Sequence, residues 1–240
     1  MTYHTITRPG TRTINEDSIA ALEQGGNFCF IAADGLGGHG KGELASQKLV
    51  EVFSQAFALG AEDGKAFLSS TFSLAQDEIM AEQKRLSAAF EMKTTAVALT
   101  IINGKCCWGH IGDSRLYLFR KNKVKARTLD HSVPQMLTLA GEIKEKQIRC
   151  HPDRNRLLRV LGVEWDSPRY ELSDETDQKD CQAFLLCTDG FWELIEEKRM
   201  CALLKKSANA QQWLEAMTAE VAANGAGQNM DNYSAVAVIN

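Results

Sequence analysis

The sequence predicts an α+β protein in which antiparallel sheets are covered by helices. Three observations carry this. The apolar runs Ala96–Ile102 and Cys106–Ile111 are joined by Asn103-Gly104, the dipeptide that most strongly favours a two-residue hairpin turn. A second tight turn is expected near Lys121–Lys123, after the run Leu116–Phe119. Between the strand-like runs lie segments with apolar residues at offsets of three and four, the spacing of one face of an amphipathic helix. Consecutive hairpins build antiparallel sheet, not the strict strand–helix alternation of a parallel α/β fold.

Phe28–Ala33 (FCFIAA) is the first strand-like run. Ala45, Leu49, Val52, Phe53 and Ala56 then mark one face of a helix, and Leu68, Phe72, Ala75 and Ile79 mark a second. The 96–111 hairpin and Leu116–Phe119 follow. Pro134–Gly162 breaks the pattern, with short helical pieces, a stop at Gly141 and the polar run HPDRNR, and reads as an excursion from the sheet scaffold. Phe184–Cys187 and Ala235–Ile239 are the last strands, with a third helix through Leu214, Met217 and Val221 between them. Four prolines, no repeat and no linker make a single domain over residues 1–240 the expected organisation.

Composition narrows the function. The chain carries 27 Lys and Arg against 31 Asp and Glu, for a net charge of -4, with no basic run longer than two residues. A nucleic-acid partner is therefore not expected. No apolar stretch approaches the roughly 20 residues of a membrane span, and MTYHTITRPG lacks the pattern of a secretory leader. A cytoplasmic location is expected. Seven cysteines, an odd number with no C-x-x-C pair, argue for core packing over a zinc ribbon or a thioredoxin-type site.

The chemistry is concentrated in carboxylates at the ends of strand-like runs. Asp34-Gly35 follows FIAA, Asp113-Ser114 follows WGHIG, and Asp189-Gly190 follows FLLCT. Asp231-Asn232 precedes YSAVAVI, and Glu16-Asp17 precedes Ser-Ile-Ala. Any one of these could be turn chemistry alone. Five together point to a rim of carboxylates, which cannot all stay ionised without a cation. Oxygen ligands of this kind suit Mg²⁺ or Mn²⁺. Gly35 to Lys41 also spells G-x-x-x-x-G-K, a P-loop whose final Ser or Thr is replaced by Gly42. Two readings stay open there: a nucleotide-binding loop, or glycines that let the chain approach a metal with the Gly35 carbonyl turned inward.

The succession TRTINEDS, FIAADGLGGHGKGELAS, TTAVAL, GHIGDSRLYLFR, TLDHS, HPDRNRLLRVLG, LLCTDGFWE and MDNYSAVAV resembles the metal-dependent serine/threonine protein phosphatases of type 2C, and does so over essentially the whole chain. HPDRNRLLRVLG and DHSVPQML are also similar to the phosphatases attached to bacterial type VI secretion clusters. The resemblance implies two antiparallel sheets packed as a sandwich with helices on both outer faces, and a flap at about 134–162. It implies two to three Mn²⁺ or Mg²⁺ ions. Asp34 would bridge two of them and Gly35 would offer its carbonyl. Glu16, Asp189 and Asp231 would complete the pair, Asp113 would help hold a third ion, and Arg12 would clamp the substrate phosphate. Asp17, His39 and Asn232 are expected as supporting residues. One departure is Leu36, where some relatives carry a histidine proposed as general acid.

The implied activity is hydrolysis of phosphoserine or phosphothreonine in proteins by a metal-activated water, reversing a Ser/Thr kinase, with the enzyme expected as a monomer. The alternatives are a non-catalytic phosphoprotein-binding module and a P-loop nucleotide hydrolase. Ser114 and Arg115 are expected as turn and salt-bridge partners, and Trp108, Trp192 and Trp213 as packing residues. His110 and His131 have no spacing that supports a Ser-His-Asp triad, and His151 is expected to cap a short helix.

Overall fold

The computed structural model describes residues 1–37, 41–88 and 91–240. In chain order the first elements are β1 (Thr2–Arg8), β2 (Asp17–Gln24), β3 (Asn27–Leu36), α1 (Lys41–Ala58), α2 (Gly64–Arg85) and β4 (Lys93–Thr94). The middle of the chain forms β5 (Ala96–Ile102), β6 (Lys105–Ile111), β7 (Arg115–Arg120), β8 (Lys123–Arg127) and α3 (Val133–Leu139). The last elements are β9 (Glu171–Leu172), β10 (Thr176–Asp177), β11 (Ala183–Cys187), α4 (Asp189–Trp192), α5 (Glu197–Leu204), α6 (Ala210–Gly225) and β12 (Tyr233–Ile239).

These strands form two antiparallel sheets. One runs β1-β12-β11-β7-β8; the other runs β10-β6-β5-β3-β2, with β4 on β3 and β9 on β6. Side chains alternate across each strand, so each sheet sends one row inward and one outward. The inward rows meet between the sheets: Phe30 and Ala32 of β3, Val97 and Leu99 of β5, Leu116 and Leu118 of β7, Phe184 and Leu186 of β11, Val236 and Val238 of β12. Outward rows pack on helices. Cys29, Ile31 and Ala98 meet Leu49, Phe53, Leu68 and Phe72 of α1 and α2. Tyr117, Leu185 and Ala237 meet Met200 of α5 and Trp213 and Met217 of α6. The four expected layers, helix–sheet–sheet–helix, are present.

The Asn103-Gly104 turn is present, with both residues at positive φ, and so is the turn at Lys121-Asn122. The first two strands were not expected, because β1 buries only Ile6 and β2 only Asp17. Edge strands half open to water lack the apolar run that reveals a strand. Pro134–Gly162 contains most of α3 and a 3-10 turn at Glu145–Cys150, and is anchored by isolated bridges from Ser132 to Leu157 and from Thr94 to Leu161. Core packing holds for Cys29, Cys106, Cys107, Cys181 and Cys187, whereas Cys150 is exposed and Cys201 half-buried. Both of these lie on short helical segments, where sequence periodicity is too brief to show a face.

Candidate metal centre

At one end of the sandwich the inward apolar rows stop and polar residues continue them. Beyond Phe30 and Ala32 the same face of β3 carries Asp34; beyond Phe184 and Leu186 comes Thr188; ahead of Leu116 comes Ser114; ahead of Val236 comes Ser234. Asp17 opens β2 directly opposite Asp34. The Asp34-Gly35 pair is thus no turn: β3 continues through it to Leu36.

A cavity of about 400 Å³ opens at this end. Arg12, Glu16, Asp34, Gly35, Asp113, Asp189, Asp231 and Asn232 all line it. Asp17 lies behind them, 7% exposed, with Oδ2 accepting the Thr188 hydroxyl at 2.9 Å. His39 lies outside the described residues.

Local bonding explains each placement. Asn232 accepts the Glu16 N–H at 2.8 Å and donates to the Pro9 and Ile14 carbonyls at 3.0 Å each, so it folds the segment bearing Arg12 and Glu16 over the cavity. The Glu16 carbonyl accepts from the Gly35 N–H at 3.1 Å and the Ser46 hydroxyl at 2.6 Å. Gly35 and Gly42 allow α1 to start against β3: a Cβ on Gly35 would stand 2.2 Å from the Gly42 carbonyl oxygen. Asp34 donates its N–H to the Thr95 hydroxyl at 3.0 Å, and Thr95 meets the Ser114 hydroxyl at 2.7 Å. Asp189 opens α4 and accepts the Gly190 N–H at 2.6 Å. Trp192, expected only to pack, also donates its indole N–H to the Asp113 carbonyl at 3.0 Å. Arg115 lies over the Trp192 ring and grips Asp130 through two bonds of 2.8 and 2.6 Å.

Sequence reasoning did not single out Thr95, Thr188, Asn155 or Leu157, the last two of which line the cavity. The polar run HPDRNR was the one signal for Asn155. His151 closes the 3-10 turn, and its Nδ1 accepts the Asp153 N–H at 3.1 Å.

The electrostatics are those of crowded acid. Burial, then the charge of Asp189, pushes Asp34 well above the ordinary carboxylate range. Burial followed by Asp113 does the same to Asp189. Asp17 is raised to about 7, first by burial. Asp113 is also raised to about 7, by burial and then Asp130. Glu16 is raised by burial and by Asp231. One carboxylate oxygen each on Asp17 and Asp113 is buried and has no hydrogen-bond partner among the described residues. Orphaned oxygens and mutually raised acids in one cavity fit hard divalent cations, which would supply the missing positive charge.

The Gly35–Lys41 stretch is not a P-loop. β3 is antiparallel to β2, β4 and β5, its ladder partners among the described residues, whereas that motif needs a parallel strand–helix crossover. A different close grouping, His110, His131 and Glu171, lies on β6, β9 and the loop before α3.

The chain is similar to known proteins along most of its length. A family model described as protein phosphatase 2C matches residues 10–233. The serine/threonine phosphatase stp of Listeria monocytogenes is 32% identical over 199 residues, 80% of this chain and 77% of that protein. The crystal structure of the Mycobacterium tuberculosis serine/threonine phosphatase PstP/Ppp superposes with a TM-score of 0.84 at 26% identity, covering 99% of this chain and 98% of that one. A structure of the PstP catalytic domain with two manganese ions, 24% identical, superposes at 0.82 over 98% of this chain and 96% of that one. From the family-model match across nearly its whole length, and from the sandwich and acidic rim just described, this chain belongs to the protein phosphatase 2C family.

Proposed function

We propose that the chain removes phosphate from phosphoserine and phosphothreonine in proteins, using divalent cations held by its acidic rim. The single observation that carries this is the convergence of Glu16, Asp34, Asp113, Asp189 and Asp231 in one cavity with Arg12 at its wall. Glu16, Asp34, the Gly35 carbonyl, Asp189 and Asp231 would hold a pair of ions, and Asp113 with Asp189 would hold a further one. Such ions activate water and neutralise charge on a phosphoryl group.

The chain's own residues do the rest. Arg12, 2.8 Å from Asp231 and half-exposed, offers further N–H donors to a phosphate at the cavity mouth. Asp17 sits behind the rim and steadies it through Thr188. Asn232 holds Arg12 and Glu16 in register with the sheets. Leu36 offers no proton to the leaving hydroxyl. Mn²⁺ is the favoured ion, because the related PstP domain binds two manganese ions. Among the described residues no helix is long and apolar enough to cross a membrane. The reading extends to a cytosolic enzyme opposing a Ser/Thr kinase on shared protein substrates.

Phosphate release from a phosphothreonine peptide, with Mn²⁺ and with chelator, tests this beside ATP. Release that needs Mn²⁺ supports the phosphatase. Peptide binding without turnover in Mn²⁺ would instead make the chain a phosphoprotein-binding module, and turnover of ATP alone would overturn both.

A further inference from the structure

His131 does not line the cavity, yet it grips the residue before Asp113 twice. Its backbone N–H donates to the Gly112 carbonyl at 2.8 Å, and its ring Nδ1 accepts the Gly112 N–H at 3.1 Å. Gly112 has φ +96°, and a Cβ there would lie 2.6 Å from the Thr95 side chain. The ring therefore holds a left-handed glycine whose next residue, Asp113, turns into the acidic rim.

The other side of His131 reaches the segment beside the cavity. Because Nδ1 accepts, Nε2 carries the ring proton and faces Glu171 Oε1 at 3.2 Å. Arg159 donates to the same oxygen at 3.0 Å. The His131 carbonyl accepts the Leu158 N–H at 2.7 Å, one residue past Leu157 in the cavity wall. His110 stacks on the ring, centroids 4.7 Å apart, and its Nε2 donates to the Leu129 carbonyl at 2.8 Å. His110, His131 and Glu171 are close enough to hold an ion. The bonding assigns them otherwise: with Nδ1 occupied by Gly112, a protonated Nε2 has no lone pair for a metal. Burial also pushes the His131 ring down to about 4, which keeps it neutral at pH 7.

We propose that His131 is a positioning residue for Asp113, a strut that ties the 157–159 segment to Gly112 and so fixes how Asp113 enters the metal centre. It rests on the reading of Asp113 as part of that centre.

Two substitutions separate the two sides of the ring. In His131→Asn the side-chain oxygen can stand where Nδ1 stands and still accept from Gly112; in His131→Gln the amide reaches toward Glu171 and leaves Gly112 unpaired. Both lose the same stacked ring, so a merely structural role moves them alike. The readouts are exchange of the Gly112 amide in metal-free protein, and Mn²⁺-dependent hydrolysis of p-nitrophenyl phosphate. His131→Gln is expected to exchange Gly112 at least tenfold faster than His131→Asn and to turn over about tenfold more slowly, at equal KM. The turnover difference should vanish in an Asp113→Asn background. Equal exchange or equal turnover in the two variants overturns the proposal, as does a difference that persists without the Asp113 charge. If Asp113→Asn is itself impaired while His131→Gln equals His131→Asn, only the strut falls. If Asp113→Asn turns over like the parent, the reading of Asp113 falls and takes the strut with it. Should His131→Gln not fold, Glu171→Ala on the open side gives the same test: Gly112 exchange at least threefold faster is expected, and the parent rate overturns the strut.

Discussion

Asp17 and Asp34 stand directly opposite each other across the β2–β3 ladder, so both carboxyl groups emerge on the face between the sheets. Two acids paired on a buried face without a cation oppose folding at neutral pH. Asp17 is raised to about 7 chiefly by burial, and Asp34 is raised by burial and its acidic neighbours.

A carboxyl held above its unfolded value binds its proton more readily in the native state. Its contribution to metal-free stability is full below about pH 4 and is lost as pH rises through about 7. In chelator, Asp17→Asn is therefore expected to be more stable than the parent at pH 8, by about 1–3 kcal/mol and several degrees in unfolding midpoint. At pH 4 the two should converge. Thermal unfolding at both pH values checks this, and a variant less stable than the parent at pH 8 contradicts it.

Arg12 acts on substrate and not on the fold, since its ion pair with Asp231 is half-exposed. Arg12→Ala should raise KM for a phosphothreonine peptide by about tenfold with a smaller loss in kcat, the pattern of lost uniform binding. Mn²⁺ affinity should change little. Steady-state kinetics with the peptide make the measurement, and an unchanged kcat/KM removes the phosphate clamp.

Gly42 lies in the first turn of α1, where helix propensity alone favours alanine over glycine by up to about 1 kcal/mol. Packing reverses the sign. A Cβ at Gly42 would sit 2.6 Å from the Gly35 carbonyl carbon, a backbone contact that cannot rotate away. Gly42→Ala should lower stability by about 2 kcal/mol or more and loosen the rim, as overpacking does. Denaturant unfolding of the metal-free protein reads it, and a gain in stability would show that α1 can shift off β3.

Much of the site is legible in sequence because each rim carboxylate abuts an apolar run, and the run fixes the strand that delivers it. Asp34, Asp113, Asp189 and Asp231 are placed this way, and all four line one cavity. The hydroxyls behind them are not singled out by residue type, and only the alternation through Leu186 and Val236, carried one step further, reaches Thr188 and Ser234. β1 and β2 are not legible, since exposure on these strands removes the apolar signal. Nor is the grip of His131 on Gly112, residues 19 apart that meet only after β7 and β8 have folded back. Trp192 shows a limit of another kind. Its burial is expected from its type, but its bond to the Asp113 carbonyl depends on where α4 lands.

Whether the acidic rim is the metal centre is decided by calorimetric titration of Mn²⁺ into the metal-free protein and into Asp34→Ala. Asp34 lies among the other acids, and Asp189, Asp17, Asp113 and Asp231 all act on it. The parent should take up at least two ions in a saturable process, with protons released as the raised carboxyls ionise. Asp34→Ala should lose that tight binding. Equal Mn²⁺ uptake by the two proteins would contradict the acidic rim as the metal centre.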